Sequence, residues 1–316
     1  MTQRRPADYA LLAARGMGMG AADVIPGVSG GTIAFITGIY QELINSIKSV
    51  NKEFFHVLFS HGIPAAWKHI NGNFLLAVFS GVLISIFTLA RLISWLLMAY
   101  PKLVWAFFFG LIIASALHVG KKITHWNTGI IITLLAGTAI AAYITIATPA
   151  TTPETWWFVL LSGGIAITAM ILPGISGAFI LLLLGKYEYM LNAVKDLNIT
   201  TIMIFAVGCV AGIISFSNVI AWLFKRFPNA TMALLTGFML GSLNKLWPWK
   251  EIISYRIDSA GEQVPLLERS ISPILYQSIT GNDHMLWHVI VCAILGFLLI
   301  FTFDVIAEIK NRKLTR

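Results

Sequence analysis

The sequence predicts an all-α polytopic membrane protein made of two inverted-topology repeats, each with one re-entrant Pro-Gly-broken helical hairpin and three transmembrane helices. Three observations predict it: the composition, six long apolar segments and a duplicated motif. Of the 316 residues, 57% are hydrophobic and only 11% are charged, and the mean hydropathy is +0.80. Soluble domains carry about 25% charged residues. The apolar excess therefore excludes a soluble fold and indicates a bilayer.

Six apolar segments are long enough to cross a bilayer, which takes about 20 helical residues. Two further apolar segments contain a central Pro-Gly pair, and we interpret them as hairpins that return to the side from which they entered. The polar stretch 250–283 is predicted to lie outside the membrane. The predicted spans are 74–98, 103–119, 127–148, 201–224, 230–247 and 285–306, and the predicted re-entrant segments are 9–47 and 156–192.

The distribution of Lys and Arg favours this re-entrant topology. If both Pro-Gly segments re-enter, 14 basic residues lie on one side and 7 on the other; if both cross, the split is 10 against 11. Cytoplasmic loops carry the excess of Lys and Arg, so we expect both termini in the cytoplasm. The Lys and Arg residues lie near the ends of the predicted spans, where they act as topology determinants. The net charge of +8 therefore does not indicate a nucleic-acid partner.

A Pro-Gly-x-Ser-Gly motif occurs twice, at 26–30 and 173–177, and further identities accompany it at an offset of 147 and then of 127. We therefore divide the chain into a first repeat, 1–150, and a second, 151–316. Three spans per repeat is an odd number, so the second repeat would be inverted, as in many secondary transporters. The alternative is that the duplication only records the history of the fold. The matched pairs are Gly38/Gly185, Tyr40/Tyr187, Asn45/Asn192, Lys48/Lys195, Trp95/Trp222, Pro101/Pro228, Gly110/Gly237 and Ser115/Ser242.

The two motifs are candidate anion sites. Irregular backbone survives at membrane depth only where protein or a water-filled cavity covers it. Serine is a favoured helix N-cap, and the free N–H groups of a helix N-terminus attract anions. The following arms, 30–48 and 177–195, are predicted to be helical. The candidate substrate-binding residues here are Ser29, Gly30, Gly31, Thr32, Ser176 and Gly177; alternatively, the serines only cap their helices and the glycines only allow close packing.

Three ionisable residues within apolar segments add candidate roles. Asp23 precedes the first motif and is a candidate proton or sodium coupling site, or else a structural partner of Arg15 or Arg91. Arg91 suits a phosphate, or its side chain extends to the membrane surface. Lys186 is expected where the second arm reaches the surface, and it either attracts an anionic head group or anchors the segment. No Walker loop, nucleophile elbow or zinc-protease motif occurs, so we expect no enzyme activity, cofactor or metal.

Three segments carry a family resemblance: Asp23-Val-Ile-Pro-Gly-Val-Ser-Gly-Gly-Thr32, Leu172-Pro-Gly-Ile-Ser-Gly177 and Lys186-Tyr-Glu-Tyr189. They resemble the bacterial polyprenyl-phosphate transporter family (PopT-like), formerly a family of unknown function, over about residues 10–306. The resemblance implies that the protein flips undecaprenyl phosphate across the bacterial cytoplasmic membrane and so recycles this lipid carrier for cell-envelope synthesis. A secondary transporter of a small soluble anion and an enzyme acting on a lipid phosphate are the alternatives. Transport direction, coupling ion, chain-length preference and oligomeric state stay open.

Overall fold

The structure is a computed structural model that describes residues 4–25, 28–257 and 263–314. Within these residues it contains fourteen α-helices and one two-stranded sheet. The helices of the first repeat are α1 (Pro6–Asp23), α2 (Gly30–Ile36), α3 (Tyr40–Lys48), α4 (Lys52–His69), α5 (Gly72–Ala99), α6 (Pro101–Gly120) and α7 (Thr128–Ile146). The second contains α8 (Trp156–Ile171), α9 (Gly177–Leu183), α10 (Tyr187–Lys195), α11 (Ile199–Arg226), α12 (Pro228–Ser242), β1 (Lys250–Ile257), β2 (Gln263–Ser270), α13 (Pro273–Thr280) and α14 (Leu286–Leu314).

Four helices in the described part of the chain are long and apolar enough to cross a membrane: α5, α6, α7 and α11. They coincide with predicted spans, which confirms a polytopic helical membrane protein. The predicted span 230–247 is wrong in length, since α12 has 15 residues and ends at Ser242. At about 1.5 Å per residue it is about 22 Å long, less than the hydrocarbon thickness of about 30 Å. Trp247 precedes Pro248, which disfavours continued helix.

The prediction of a purely α-helical chain is wrong in one element. Within the stretch 250–283, β1 and β2 pair antiparallel, and α13 follows. Two lysine side chains stabilise the base of the hairpin. The Lys250 ammonium lies 4.0 Å from the ring centre of Trp105 on α6, and the carboxylate of Glu268 accepts hydrogen bonds from Lys245 at 3.0 Å and from Lys250 at 3.3 Å.

This buried lysine predicts a pH-dependent stability. Burial lowers the pKa of the Lys250 ammonium from 10.5 to about 8, although Glu268 acts in the opposite direction. The unfolded chain therefore holds more protons than the folded chain between about pH 8 and 10.5, so stability rises with pH there. The full effect is about 3 kcal/mol. Thermal unfolding of the purified protein should show this rise, and a Lys250→Met variant should lack it; equal slopes in both proteins would contradict it.

The arm that follows each Pro-Gly-x-Ser-Gly motif bends once more than predicted. The arms 30–48 and 177–195 are each two short helices, of seven and nine residues, rather than one. The bend between α9 and α10 is 105°. Gly38 and Gly185, which correspond at the offset of 147, provide the break, because both have positive φ, +76° and +62°, a conformation that glycine adopts at no steric cost.

The chain forms two compact units. The first contains Met1–Ser94 and Pro149–Thr231, and the second contains Trp95–Thr148 and Met232–Arg316. Each unit thus combines corresponding parts of both sequence repeats. The first unit contains the two Pro-Gly segments and most of the first predicted span of each repeat, and the second unit contains the later helices. The repeat boundaries 1–150 and 151–316 therefore differ from the boundaries of the compact units.

Equivalent glycines pack equivalent helices in the first unit. Gly16 of α1 and Gly81 of α5 each lie against backbone carbonyl groups of the other helix. Gly163 of α8 and Gly208 of α11 do the same for their pair, and they correspond to Gly16 and Gly81 at the two offsets. Small residues allow such close approach between membrane helices. The two sequence repeats therefore share the same glycine-mediated contact between helices.

In the second unit the repeats exchange partners. Gly110 of α6 lies against the backbone of Ala293 on α14, whereas the corresponding Gly237 of α12 lies against Leu134 on α7. Each pair therefore joins a helix of the first repeat to a helix of the second. This exchange links the two repeats through backbone contacts that a side chain at either glycine would disturb.

Candidate functional site

The two Pro-Gly-x-Ser-Gly loops contact each other inside the first unit. The Ser29 hydroxyl donates a hydrogen bond to the carbonyl oxygen of Met170 at 2.6 Å. The backbone N–H of Gly174 donates to the Thr32 hydroxyl at 3.0 Å. Ser29 and Thr32 are fully buried. Polar backbone from two distant parts of the chain therefore meets in a buried junction, which we call the loop junction (residues 28–32 and 170–177).

Glycine is required where the loops touch. The side chain of Ser29 accepts a hydrogen bond from the Gly31 N–H at 3.0 Å and so caps α2. A Cβ added at Gly31 would overlap the carbonyl group of Ile171 at the end of α8. The close approach of the loops thus depends on the absence of a side chain at Gly31. Ser29 both caps α2 and makes the contact with the second loop.

The Asp23 carboxylate lies at the N-terminus of α2. It accepts a hydrogen bond from the Gly30 N–H at 2.7 Å, and a Cβ added at Gly30 would come within 2.6 Å of its second oxygen. A negative charge is favoured at a helix N-terminus. Asp23 therefore occupies the position that an anionic ligand of α2 would take. The structure shows this contact instead of an ion pair between Asp23 and Arg15 or Arg91.

The second loop lacks this acid. Met170 corresponds to Asp23 at the offset of 147, and its carbonyl group receives the bond from Ser29. Ser176 caps α9 by accepting from the Phe179 N–H, at the longer distance of 3.4 Å. Ser176 and Gly177 are both buried. The two loops are thus similar in backbone and different in charge.

The two basic candidates lie outside the loop junction. The side chain of Arg91 is exposed on α5, and no described residue pairs with it. Lys186 is 1% exposed, so its side chain is enclosed by protein, and its position at the membrane surface stays a prediction. Its ammonium donates to the Thr152 carbonyl oxygen at 3.0 Å and lies 5.6 and 5.3 Å from the ring centres of Phe158 and Tyr189.

The structure therefore brings together Asp23 and the six motif residues, but not Arg91 or Lys186. Sequence reasoning missed the carbonyl groups of Met170 and Ile171 and the role of Gly174. Their contribution is made by backbone atoms, which leave no side-chain signature. The one sequence signal for this region was the duplication of the motif at an offset of 147 residues.

The unequal caps predict unequal mutational effects. Ser29→Ala removes two hydrogen bonds, of 2.6 and 3.0 Å, and leaves the buried Gly31 N–H without its acceptor, at a cost of about 1–3 kcal/mol. Ser176→Ala removes one long bond and should cost about 0.5–1 kcal/mol. Unfolding midpoints of the two variants in detergent measure the difference. A Ser176→Ala variant less stable than Ser29→Ala would contradict the asymmetry of the loop junction.

Comparison with known proteins adds three findings. A family model described as undecaprenyl phosphate translocase-like matches residues 19–264. A polyprenyl-phosphate transporter of Vibrio cholerae is 50% identical over 268 residues, covering 85% of this chain and 87% of that protein. A polyprenyl-phosphate transporter of Staphylococcus aureus is 31% identical over 252 residues, covering 74% of this chain and 84% of that protein. No solved structure matches the chain.

Proposed function

The chain belongs to the undecaprenyl phosphate translocase-like family, and on this premise we propose that it flips undecaprenyl phosphate or a related polyprenyl phosphate across the bacterial cytoplasmic membrane. This returns the lipid carrier for cell-envelope synthesis and involves no covalent chemistry. The observation that carries the proposal is the loop junction, a buried concentration of backbone and hydroxyl donors in an apolar protein. A phosphate head group needs such donors to leave water, while its prenyl chain stays in lipid.

In the described structure the loop junction is closed, because its donors bind protein acceptors. The Ser29 hydroxyl is bonded to Met170, and the Gly30 N–H is bonded to Asp23. Separation of the two loops would free the Ser29 hydroxyl for a phosphate, and displacement of the Asp23 carboxylate would free the Gly30 N–H. The head group would then bind residues of both loops: Ser29, Gly30, Gly31 and Thr32 of the first, and Ser176 and Gly177 of the second.

Asp23 gives this site a means of coupling to an ion. Its carboxylate and the phosphate compete for the N-terminus of α2, since both are anions that this helix end favours. Protonation of Asp23 removes its charge, and a sodium ion beside it would neutralise it. Either event weakens the competitor and favours the head group. Binding of the proton or sodium ion and binding of the lipid would therefore be linked, as transport against a gradient requires.

Arg91 and Lys186 would assist from outside the loop junction. The exposed guanidinium of Arg91 is a bidentate partner for a phosphate arriving along α5. The buried Lys186 ammonium has a carbonyl group and two aromatic rings around it, and a phosphate would be a stronger partner. Both roles predict weaker head-group binding when the charge is removed.

The topology belongs to the same proposal. Repeats 1–150 and 151–316 are inverted, the segments 9–47 and 156–192 are re-entrant, and both termini lie in the cytoplasm. The Lys and Arg distribution supports this orientation. The 105° bend between α9 and α10 is the geometry of a re-entrant segment or a broken span. Cysteine labelling of residues flanking 9–47, in intact cells, would test it: labelling of the two flanks from opposite sides would refute re-entry.

A leaflet-exchange assay tests the function. The protein is placed in liposomes with labelled undecaprenyl phosphate, and a membrane-impermeant reagent reports the outer-leaflet fraction. The parent should accelerate exchange, and a combined Ser29→Ala, Ser176→Ala and Arg91→Ala variant should lose most of that acceleration. If the combined variant is folded and exchanges lipid like the parent, the proposed site is wrong. Uptake of inorganic phosphate without lipid exchange would refute the function.

A further inference from the structure

A polar cavity of about 340 Å³ lies between α3 and α11, inside the first unit and apart from the residues of the loop junction. This volume is in the range of small-molecule sites, which is roughly 300–1,000 Å³. The cavity differs from the apolar surroundings in its lining. It is lined by Gln41, Ile44, Asn45, Lys48, Ala221, Phe224 and Lys225.

Helix periodicity explains why these residues face one space. On α3 the lining residues are spaced i, i+3, i+4 and i+7, and on α11 they are spaced i, i+3 and i+4. Residues at these spacings share one helix face. The rest of α3 is buried by apolar residues such as Leu43 and Ile47. Gln41, Asn45 and Lys48 of α3 and Lys225 of α11 therefore face one space where the helices meet. Ile44, Ala221 and Phe224 supply its apolar part.

The charge of the cavity is entirely positive. Lys48 and Lys225 contribute two ammonium groups, and no acidic residue is among the lining residues. The acid nearest in sequence, Glu42, is already bonded to Arg4 at 2.6 Å and to Asn71 at 2.7 Å. A lysine in the last turn of a helix also complements the helix dipole. That effect explains each lysine alone, but it does not require both to line one cavity.

The wall of the cavity is aromatic. Phe224 lines it and packs against Tyr40 and Phe35, with ring centres 6.1 and 6.3 Å apart. The Tyr40 side chain is 2% exposed, and its hydroxyl group has no hydrogen-bond partner among the described residues. Buried hydroxyl groups normally have a partner. Tyr40 does not line the cavity itself; its ring packs behind Phe224 and supports the aromatic side of the wall.

The cavity joins α3 of the first repeat to α11 of the second, and the corresponding positions on α10 and α5 do not provide the same lining. At the offsets of 147 and 127, Gln41 corresponds to Glu188 and Lys225 corresponds to Met98. The corresponding positions thus carry an acid on α10 in place of the amide and an apolar side chain on α5 in place of the cation. The cationic lining is therefore not a by-product of the duplicated fold.

We propose that the cavity between α3 and α11 binds a phosphate group, through the Lys48 and Lys225 ammonium groups and the Gln41 and Asn45 carboxamides. Ammonium groups and amide N–H donors are suitable partners for phosphate oxygens. The ligand is either the head group of a polyprenyl phosphate or free phosphate. The lysine distribution assigns this end of α3 and α11 to the cytoplasmic side, so a lipid head group would bind here on that side. That lipid reading rests on the proposed function, whereas the phosphate site does not.

Lysine protection tests the site directly. The full-length protein in detergent is treated with an acetylating reagent, with and without farnesyl phosphate or inorganic phosphate, and mass spectrometry measures each lysine. Both Lys48 and Lys225 should be protected at least fivefold by a ligand that binds. Lys195, the sequence counterpart of Lys48 in the second repeat, is the internal control and should not be protected. Equal modification of Lys48 and Lys225 with and without both ligands overturns the proposal.

Matched variants separate this site from the transport function. Lys48→Gln with Lys225→Gln should weaken ligand binding at least tenfold, and Lys195→Gln should change it less than twofold. Protection by farnesyl phosphate alone identifies the lipid as the ligand, and equal protection by inorganic phosphate shows that the head group suffices; both support the site. A double variant that binds like the parent overturns the site even if the parent exchanges lipid. Lost binding in the double variant supports the site even if the parent exchanges none.

Discussion

Gly31→Ala is expected to open the loop junction and abolish lipid exchange. The added methyl group would overlap the Ile171 carbonyl group, which is backbone and cannot rotate away as a side chain can. Overpacking of this kind costs about 1–3 kcal/mol and sometimes more, and here it also separates Ser29 from Met170. The unfolding midpoint should fall, and lipid exchange should drop at least tenfold in the liposome assay.

Gly18→Ala is the matched control. It lies in the preceding helix, α1, and an added Cβ would meet only the Ile33 side chain, at 3.3 Å. That side chain can adjust by a few tenths of an ångström. Gly18→Ala should therefore keep both stability and exchange near those of the parent. If the two alanine variants behave alike, the contact between the loops is not what limits either property.

Asp23→Asn is expected to remove the ion dependence of head-group binding and to keep the fold. The asparagine side-chain oxygen can still accept the bond from the Gly30 N–H, but it carries no charge and does not titrate. Coupled sites change each other's affinity by about 5–150-fold. In the parent, lowering the pH or adding sodium should tighten binding of farnesyl phosphate within this range. In the variant, the affinity for farnesyl phosphate should change with pH only as much as titration of the ligand's own phosphate group requires.

Asp23→Ala supplies the contrast. It leaves the Gly30 N–H without an acceptor and should lower stability by about 0.5–2 kcal/mol, as loss of a helix cap does. Asp23→Asn should not. If the Asn variant keeps the full ion dependence of the parent, Asp23 is only a cap for α2, and the coupling group lies elsewhere.

The membrane architecture was largely accessible from sequence, because the bilayer imposes helix length and apolar composition directly. The family was also predicted correctly, since the paired motifs are specific, and the match over residues 19–264 confirms it. The end of α12 and the β1–β2 hairpin were not predicted. Proline at 248 and short-range pairing decide them, and the mixed polarity of 250–283 indicates only that the stretch leaves the membrane.

The loop junction was predictable in its residues but not in its contacts. Two serines after Pro-Gly pairs suggested helix caps, and both serines cap their helices. That Ser29 also bonds to Met170 depends on how the loops dock, and a carbonyl acceptor has no sequence signature. The burial of the Lys186 side chain was missed for a similar reason. Its contact with the Thr152 carbonyl group depends on how the segment 150–152 packs beside the Gly185 turn, and local hydropathy does not show this.

The exchanged helix pairs of the second unit have a consequence for biogenesis. α6 enters the membrane early, but its partner α14 is translated about 180 residues later, a delay of roughly 10–40 s at bacterial elongation rates. During that interval the glycine face around Gly110 lacks its partner and can meet other apolar chains in the membrane. A nascent chain arrested before residue 286 should therefore require an insertase or chaperone to keep α6 from non-native pairing, whereas the completed chain should not.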